Sequence, residues 1–447
     1  MLPPYQKIVS FDPFNVRPFY VNKVREFDPF KLARSFEWSR KHSSWWLLGL
    51  APVCLVIVAA GALLAGRFGT IRDTRMIWLD IQASIGIEAS TEFSPNFTFM
   101  RDATTWFLIS VIVLTCMLVH RQWKLMRSAL PELAAYGALK PLIDGRRIGR
   151  RRRDRWTRRL KLEEIIETQD SEEYLNAVVD RVDRILAKNF ALGFAVAAFF
   201  LAFVPVGGSF ALGIYGAFAP SEVPADEVGL WAKDAYDSWW AGIRSDGLRW
   251  LFGTIAYVAV ASLGIYVILL QNFVGVLAVY IVLCIPRVTL VDADWLNRDG
   301  RFGWSPIGRI FRTVYLSLAL HGLSLSVLLI TFGIDHSPLL IVLIGIWVVV
   351  TPLYLIVPLV VFRRISRSAR KRRLDDLAKM MKSAGIDLLS DGGRLGPCIF
   401  EIERVNNARI QPLRMGRLEI PALVVIVLPI VIAVAQTVFQ VQFTAAG

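Results

Sequence analysis

The stretch WLFGTIAYVAVASLGIYVILLQNFVGVLAVYIVLCI, residues Trp250–Ile285, runs for 36 residues without an Asp, Glu, Lys or Arg. About 20 apolar residues in a helix cross the ~30 Å hydrocarbon core of a bilayer. Backbone groups in lipid must be hydrogen-bonded within the segment, so the stretch is predicted to be helical. Because it exceeds one perpendicular crossing, it either extends beyond the membrane, tilts, or breaks near Gln271-Asn272, and these alternatives stay open.

Six further apolar runs of similar character lie on both sides of this stretch. The chain is 55% hydrophobic, above the 45–50% apolar content of typical soluble domains. The sequence therefore predicts an all-α fold, a polytopic transmembrane helical bundle of about seven spans. The predicted spans are residues 45–65, 104–120, 190–218, 250–285, 313–334, 338–362 and 420–440.

Positive charge is concentrated in alternate connections between these spans. With the N-terminus inside, 44 of the 51 Lys and Arg residues fall on one side of the membrane. Because Lys and Arg stay on the cytoplasmic side of spanning helices, this distribution predicts a multi-pass inner-membrane (plasma-membrane) protein with a cytoplasmic N-terminus.

The spans and the charge together divide the chain into six parts. They are a cytoplasmic aromatic and basic N-terminal segment (1–44), a first transmembrane hairpin (45–120) with an external loop (66–103), a basic cytoplasmic helical region (121–189), a four-span core (190–362), a cytoplasmic helical extension (363–419), and a last span with its tail (420–447). Residues 121–189 and 363–419 are predicted to form a basic helical layer beneath the membrane. The apolar face of residues 171–189 is covered either by the same chain or by a neighbouring subunit.

The densest basic block is GRRIGRRRRDRWTRRLK, Gly145–Lys161, in which ten of seventeen residues are Lys or Arg. Basic residues close to an anionic leaflet gain about 1 kcal/mol each, so lipid contact is the favoured role. A soluble protein or nucleotide partner is the second interpretation, and nucleic acid is the third. The predicted contact residues are Arg146, Arg147, Arg150, Arg151, Arg152, Arg153 and Arg155.

Four polar side chains inside the predicted spans are candidates for lining a pore or gate. They are Gln271, Asn272, His321 and Thr351. Amides, hydroxyls and apolar constrictions can line a pore without any carboxylate. For His321, a hydrogen bond to a neighbouring helix and a gating role are both open.

Proline and paired glycines mark two places where a spanning helix is expected to bend. A proline lacks the backbone N–H and glycine is flexible, so both favour kinks. The predicted hinges are Pro205, Gly207 and Gly208 in the third span, and Pro352 and Pro358 in the sixth.

Enzymatic chemistry finds no support in the sequence. The motifs GxxxxGK[ST], GxSxG and HExxH are absent, and the four cysteines show no CxxC spacing. We therefore expect no catalytic residues, no metal site and no cofactor. A midplane carboxylate, usual in ion-coupled carriers, is also missing from the predicted spans.

The external segment Glu222–Arg249 combines acidic residues with tryptophan and tyrosine. Aromatic rings are enriched at the level of lipid headgroups, which predicts an interfacial helix anchored by Trp231, Tyr236, Trp239 and Trp240. A lid over a ligand site is the alternative interpretation.

The loop LNRDGRFGWSPIGR, Leu296–Arg309, resembles the HPDGxGGLxPLGR segment of a group of uncharacterised bacterial polytopic membrane proteins. Asp299-Gly300 matches the DG, Gly303 one of the paired glycines, and Pro306–Arg309 the PLGR. The resemblance covers the C-terminal third at most and implies a polytopic inner-membrane protein without an assigned activity. Asp-Gly and Ser-Pro-x-Gly are both expected to form tight turns here.

Two hypotheses for function stand ahead of the others. The favoured one is an oligomeric pore or regulated channel whose basic cytoplasmic layer acts as gate or sensor. The alternative is a non-conducting scaffold or anchor subunit of a larger complex. Under both, the expected partners are anionic lipid headgroups, further copies of the chain and a soluble cytoplasmic protein, rather than nucleic acid. A small-solute carrier and an intramembrane enzyme are the remaining hypotheses.

Overall fold

The structure is a computed structural model, and it describes the greater part of the helical core. The described residues are 44–74, 77, 96–135, 138–140, 191–204, 206–207, 224, 226–244, 247–288, 290–291, 302–332, 338–383, 399–403, 405–406 and 419–446. Several predictions concern residues outside these ranges: the Arg146–Arg155 block, the helix at 171–189, most of segment 1–44, and the hinge residues Pro205 and Gly208.

The described chain is helical except for one pair of two-residue strands. The α-helices are α1 (Leu50–Leu64), α2 (Ala103–Ala135), α3 (Ala191–Ala202), α4 (Val228–Ser238), α5 (Trp250–Val288), α6 (Ser305–Phe332), α7 (Pro338–Ser383) and α8 (Glu419–Ala446). A 3₁₀ turn, Ser44–Gly49, leads into α1. Strand β1 (Leu139–Lys140) pairs antiparallel with β2 (Leu290–Val291).

Five helical segments among the described residues are long and apolar enough to cross a membrane. They are Leu47–Leu64, Ala103–Met126, Trp250–Tyr280, Ser305–Leu329 and Leu343–Ser383. The all-helical class is thus confirmed, and these segments indicate a membrane protein. The predicted number of about seven spans is not confirmed, because the third and seventh runs show only the shorter apolar stretches Gly193–Ala202 and Pro421–Ala435.

The predicted third span, 190–218, does not form one continuous helix. Helix α3 ends at Ala202 after 12 residues, and the chain then turns, with the N–H of Gly207 donating to the carbonyl of Phe203 at 2.9 Å. The Val-Pro-Val-Gly-Gly sequence was expected to kink a helix, but in the described residues the helix stops before it is reached. A missing N–H and two flexible residues favour termination as well as bending.

Helix α5 excludes a break near Gln271-Asn272, one of the three alternatives for Trp250–Ile285. It continues through both residues for 39 residues, about 58 Å at 1.5 Å per residue. This length exceeds a ~30 Å hydrocarbon core, which requires the helix to extend beyond it or to tilt. Helix α5 lies at the centre of the bundle and packs against α1, α2, α3 and α7, while α6 packs mainly against α2 and α8.

Glycines permit the closest approaches between these helices. An added Cβ would lie 2.9 Å from the carbonyl oxygen of Phe252 at Gly61, 2.8 Å from the Ile112 side chain at Gly264, and 2.9 Å from the Tyr354 ring at Gly275. Small residues at helix interfaces are the usual means of bringing backbones together in membranes, where lipid supplies no hydrophobic drive. The bundle is therefore assembled around glycine contacts.

We expect Gly322→Ala to weaken the packing of α6 against α8. The added Cβ would lie 2.8 Å from the carbonyl oxygen of Val425, which belongs to backbone and cannot rotate away. Overpacking of this kind costs about 1–3 kcal/mol, seen as a lower Tm in detergent. The matched control is Gly345→Ala, where the new methyl meets nothing within 4 Å. Equal melting temperatures for the two variants would contradict the packing.

Helix α6 begins earlier than the sequence predicted. Residues Phe302 and Gly303 form a turn with φ of 53° and 85°, and the helix starts at Ser305. The Ser-Pro-x-Gly sequence is thus the first helical turn and not a tight turn, so that prediction was wrong. Proline is well suited to the start of a helix because the N–H that it lacks would have no intrahelical partner there.

Helix α7 runs for 46 residues, about 69 Å, through both Pro352 and Pro358. The predicted hinges at these two prolines therefore do not interrupt the helix. The cytoplasmic extension 363–419 was predicted to be helical, and in its described first part the helix continues to Ser383. Its Phe362 ring packs edge-on against Trp304 at 5.8 Å, at the start of α6.

Two acidic residues lie at opposite ends of α2 and serve as reference points for distances along this helix. Asp102 immediately precedes the helix, and Glu132 lies thirty residues later, about 45 Å away along the axis. A bilayer with its headgroup regions is about 40–45 Å thick. We call the side with Asp102, Trp239 and Trp240 the aromatic end. The side with Glu132 and the Arg-rich half of α7 is the basic end.

Candidate functional site

At the aromatic end, the buried carboxylate of Asp102 collects five hydrogen-bond donors. Its Oδ2 accepts bonds from the indole Nε1 of Trp239 at 2.9 Å, from that of Trp240 at 2.8 Å and from the Thr105 hydroxyl at 2.8 Å. Its Oδ1 accepts from the Thr105 backbone N–H at 3.1 Å and from the Thr104 hydroxyl. Asp102 thus caps α2 and joins it to the segment after α4.

The two tryptophans do not lie at the protein surface as predicted for headgroup anchors. Trp239 is 3% exposed and Trp240 is fully buried, and both rings pack edge-on against Tyr257. Burial of an indole requires a partner for its N–H, which Asp102 supplies. The segment does contain a helix, α4, but these two residues stabilise the aromatic end of the bundle.

Asp73 lies in a turn beside this cluster and is held in its charged form. Burial alone would raise the pKa of its carboxyl. Hydrogen bonds from the Thr70 backbone N–H, the Thr98 hydroxyl and the Thr70 hydroxyl, together with the nearby Arg101 charge, bring the pKa below its ordinary value. Since the Thr98 bond spans 25 residues, Asp73 connects the turn after α1 to the segment before α2.

At the basic end, an ion pair and the strand pair connect three helices. Glu132 on α2, 3% exposed, pairs with the guanidinium of Arg309 on α6, whose side chain is 46% exposed. Leu139 pairs with Val291 across the two strands, which joins the chain after α2 to the chain after α5. We call Glu132, Arg309 and the strand pair the basic-end clasp.

Between these ends, two buried glutamines meet inside the bundle. Gln122 on α2 is fully buried and Gln271 on α5 is 3% exposed, and the Gln271 Nε2 donates to the Gln122 Oε1 at 2.6 Å. Gln122 lies ten residues from Glu132, about 15 Å, and twenty from Asp102, about 30 Å. Both residues lie within segments that are long and apolar enough to cross a membrane, Ala103–Met126 and Trp250–Tyr280.

Each glutamine uses only part of its hydrogen-bonding capacity. The Nε2 of Gln122 and the Oε1 of Gln271 are buried and have no hydrogen-bond partner among the described residues. A carboxamide has two donors and two acceptor lone pairs. The pair thus keeps one unpaired donor group and one unpaired acceptor.

Asn272 follows Gln271 in α5, and Thr351 lies on α7, which packs against α5. The Asn272 side chain donates to the carbonyl of Ile268 in its own helix at 2.9 Å, and its backbone carbonyl accepts from the Tyr354 hydroxyl at 2.7 Å. Tyr354 thereby joins α7 to α5. Thr351, 5% exposed and one turn before Tyr354, has an Oγ1 without a partner in the described structure.

His321 occupies a different contact, between α6 and its neighbours α7 and α8. The adjacent Gly322 approaches the backbone of Val425 and the ring of Trp347, whose Nε1 donates to the carbonyl of Ile426 at 3.0 Å. His321 Nε2 is buried and unpaired within the described ranges. The described contacts therefore join Gln271 to Gln122 and Asn272 to Tyr354, and none of them joins His321 to these residues.

Further unpaired polar atoms occur on α2, α5 and α6. Together with the residues above they form what we call the unpaired set, meaning uncharged side chains of α2, α5, α6 and α7 with a buried polar atom that lacks a partner in the described part of the chain. Its members are Trp106, Gln122, Ser262, Gln271, Tyr315, Ser317, His321 and Thr351. Buried polar atoms in proteins normally have partners, so a set of this size in one bundle requires an explanation.

Gln122 was missed from the sequence because it lies two residues past the predicted end of the second span, between Arg121 and Lys124. A signal was nevertheless present. The buried residues of α2 recur at spacings of three and four, and Gln122 falls in that series. The series is Ile112, Cys116, Val119, Gln122, Met126, Ala129 and Leu133. Extending the apolar periodicity through the charges would have placed Gln122 on the buried face.

Among the residues that the structure describes, no three His, Cys, Asp or Glu side chains form a group suited to a metal ion. Cys54 and Cys116 are buried free thiols. No protein-family model matches the chain, and no curated protein or solved structure matches it either. The resemblance of Leu296–Arg309 to the HPDGxGGLxPLGR group stays a prediction, and any function is argued from the residues themselves.

Proposed function

We propose that this chain is a membrane channel whose polar conduit lies among α2, α5, α6 and α7. The observation that carries the proposal is the pair of buried glutamines, each with an unpaired amide atom, on two helices that are apolar enough to cross a membrane. An unsatisfied polar group in apolar surroundings costs several kcal/mol. Because both side chains are at most 3% exposed, water or a permeating solute reaches them when the helices move apart.

The chemical character of the unpaired set supports a passive channel over an ion-coupled carrier or an enzyme. Six of its eight members are amides or hydroxyls, and the other two are an imidazole and an indole. Carboxylates that bind coupling protons or sodium ions are the usual mark of carriers. Neutral donors and acceptors are instead suited to lining a permeation path.

The basic-end clasp is well placed to act as the gate of this channel. It holds together α2, α5 and α6, three of the four helices that carry the unpaired set. Glu132 also lies only about 15 Å along α2 from Gln122. Releasing the pair would free the ends of these helices to separate.

The proposal includes an orientation and a location. The distribution of 44 of the 51 Lys and Arg residues supports a plasma membrane with the basic end in the cytoplasm. Self-association and contact of the Arg146–Arg155 block with anionic lipids belong to the same proposal, and they rest on sequence alone.

A non-conducting scaffold is the second candidate, and helix α7 favours it. From Phe362, which contacts Trp304, the helix continues for 21 residues, about 31 Å past the start of α6. Its buried residues in this part, Ile365, Ala369, Leu377 and Met381, pack against the same chain, where Arg373 pairs with Glu401, and most of the remaining side chains are exposed or partly exposed. A projecting helix of this length suits the docking of a soluble partner.

Solute flux into proteoliposomes tests the channel directly. We expect the wild-type protein to raise permeability above that of protein-free vesicles, and Gln271→Leu to lower it about tenfold, the equivalent of one hydrogen bond. The matched control pair lies on α6. Ser317→Ala removes a buried unpaired hydroxyl, whereas Ser324→Ala removes one that donates to the Leu320 carbonyl in its own helix, so only the first should alter flux. Vesicles that stay silent with folded protein would contradict the channel and favour the scaffold.

A further inference from the structure

The free atoms of the glutamine pair have a definite hydrogen-bonding pattern. The bond from Gln271 Nε2 to Gln122 Oε1 consumes one donor and one acceptor. The Gln122 Nε2, with two N–H donors, and the Gln271 Oε1, with its lone pairs, remain unpaired in the described structure. Two amides in a closed reciprocal dimer would have left neither atom free.

The buried positions one turn from the pair are apolar. On α2 they are Val119 and Met126, and on α5 they are Val267 and Val274. The basic residues on either side of Gln122 in α2 are the exposed Arg121 and the partly buried Lys124. A bare ion moved from water into such a site would lose its hydration without gaining an opposite charge, at a cost of several kcal/mol.

A small neutral solute meets different conditions at the same place. Its hydroxyl or carbonyl oxygen can accept from Gln122 Nε2 while its own O–H or N–H donates to Gln271 Oε1. Each bond replaces one that the solute made with water, so the exchange is close to balanced. A solute that can only accept, or only donate, leaves one of the two amides unsatisfied.

We propose that the Gln122–Gln271 pair is a selectivity site for small uncharged solutes that both donate and accept hydrogen bonds, the chemical class of water, urea and glycerol. This inference rests on the proposed channel function and names its substrate class. The site passes such solutes by hydrogen-bond exchange and excludes K⁺ and Cl⁻ by their desolvation. The two glutamines come from the adjacent helices α2 and α5, so a single chain supplies the whole site.

The predicted selectivity for neutral solutes over ions is tested on the reconstituted wild-type protein. Urea and glycerol permeation is measured by stopped-flow light scattering after osmotic shock, and K⁺ and Cl⁻ permeation by a potential-sensitive dye in the same vesicles. We expect faster entry of urea and glycerol than in protein-free vesicles, with ion permeability unchanged. Ion conductance equal to or above the solute permeability would overturn the site while leaving the channel intact. If the protein raised permeability to none of these solutes and ions, the channel proposal itself would be overturned.

The double variant Gln122→Met/Gln271→Met assigns the selectivity to the pair. Methionine has nearly the same size but no amide, so urea permeation should fall about tenfold or more. Gel filtration checks that the variant is folded, and Gln122→Asn, which keeps the amide on a shorter side chain, replaces it if it is not. Unchanged urea permeation in a folded variant would show that the pair is structural and would overturn the inference.

Discussion

Asp102→Ala is expected to lower the stability of the detergent-solubilised protein by about 3–5 kcal/mol, the range found when a buried charge-assisted network loses its acceptor. The substitution leaves the indole N–H groups of Trp239 and Trp240 and the backbone N–H of Thr105 without their acceptor. Because Trp239 is 3% exposed and Trp240 is fully buried, water cannot replace the carboxylate without repacking. The measurement is the Tm of purified protein in a mild detergent.

Asp234→Ala is the matched control for this change. Asp234 lies on α4, close in sequence to the two tryptophans, but its side chain is exposed. Exposed substitutions without special contacts usually stay within about 0.5 kcal/mol. If Asp102→Ala melted within a degree of the Asp234 variant, the carboxylate would not be the acceptor that holds the aromatic end together.

Arg309→Ala should destabilise the basic end by about 3–5 kcal/mol, because it leaves the buried Glu132 carboxylate without its partner. Glu132 is 3% exposed, so its charge is poorly hydrated once the guanidinium is gone. Under the proposed gating role, the same variant should also raise solute flux in vesicles. Thermal stability and flux are measured on the same preparation.

The double variant Glu132→Gln/Arg309→Ala distinguishes the effect of an unpaired buried charge from the effect of losing the contact between α2 and α6. Removal of both charges relieves the unpaired carboxylate, so most of the lost stability should return while the flux stays raised. A single variant as stable as the wild type would mean that the pair contributes nothing to the fold. A stability loss without any change in flux would leave Glu132 and Arg309 as structural residues and overturn their role as gate.

Helices α5 and α3 show that hydropathy predicts the length of one apolar helix correctly and that of another wrongly. Trp250–Ile285 is apolar without a turn-forming pair, and it forms one helix. The run 190–218 is equally free of charge, yet α3 ends at Ala202 ahead of the Pro and Gly residues. Hydropathy measures the tendency to enter lipid, and it does not report whether the backbone continues as a helix.

Part of the candidate site could be predicted from the sequence. Gln271 and Asn272 stood out because polar residues are rare within spanning segments. Gln122 did not, because Arg121 and Lys124 lower the hydropathy of this part of α2, and the predicted span therefore ended before Gln122. Trp239 and Trp240 carry the composition of headgroup anchors, but Asp102 draws them into the bundle. The sequence contains no sign of that contact, because 137 residues separate Asp102 from Trp239.

Hydropathy and charge along the chain are enough to establish a helical membrane protein with a basic half, since both depend only on how local segments partition between water and lipid. Which polar groups meet within the bundle is a different matter. The bond between Gln122 and Gln271, the ion pair of Glu132 with Arg309, and the indoles on Asp102 depend on the rotation and register of distant helices. Those are set by close packing at glycines such as Gly61 and Gly264, which no local property of the chain encodes.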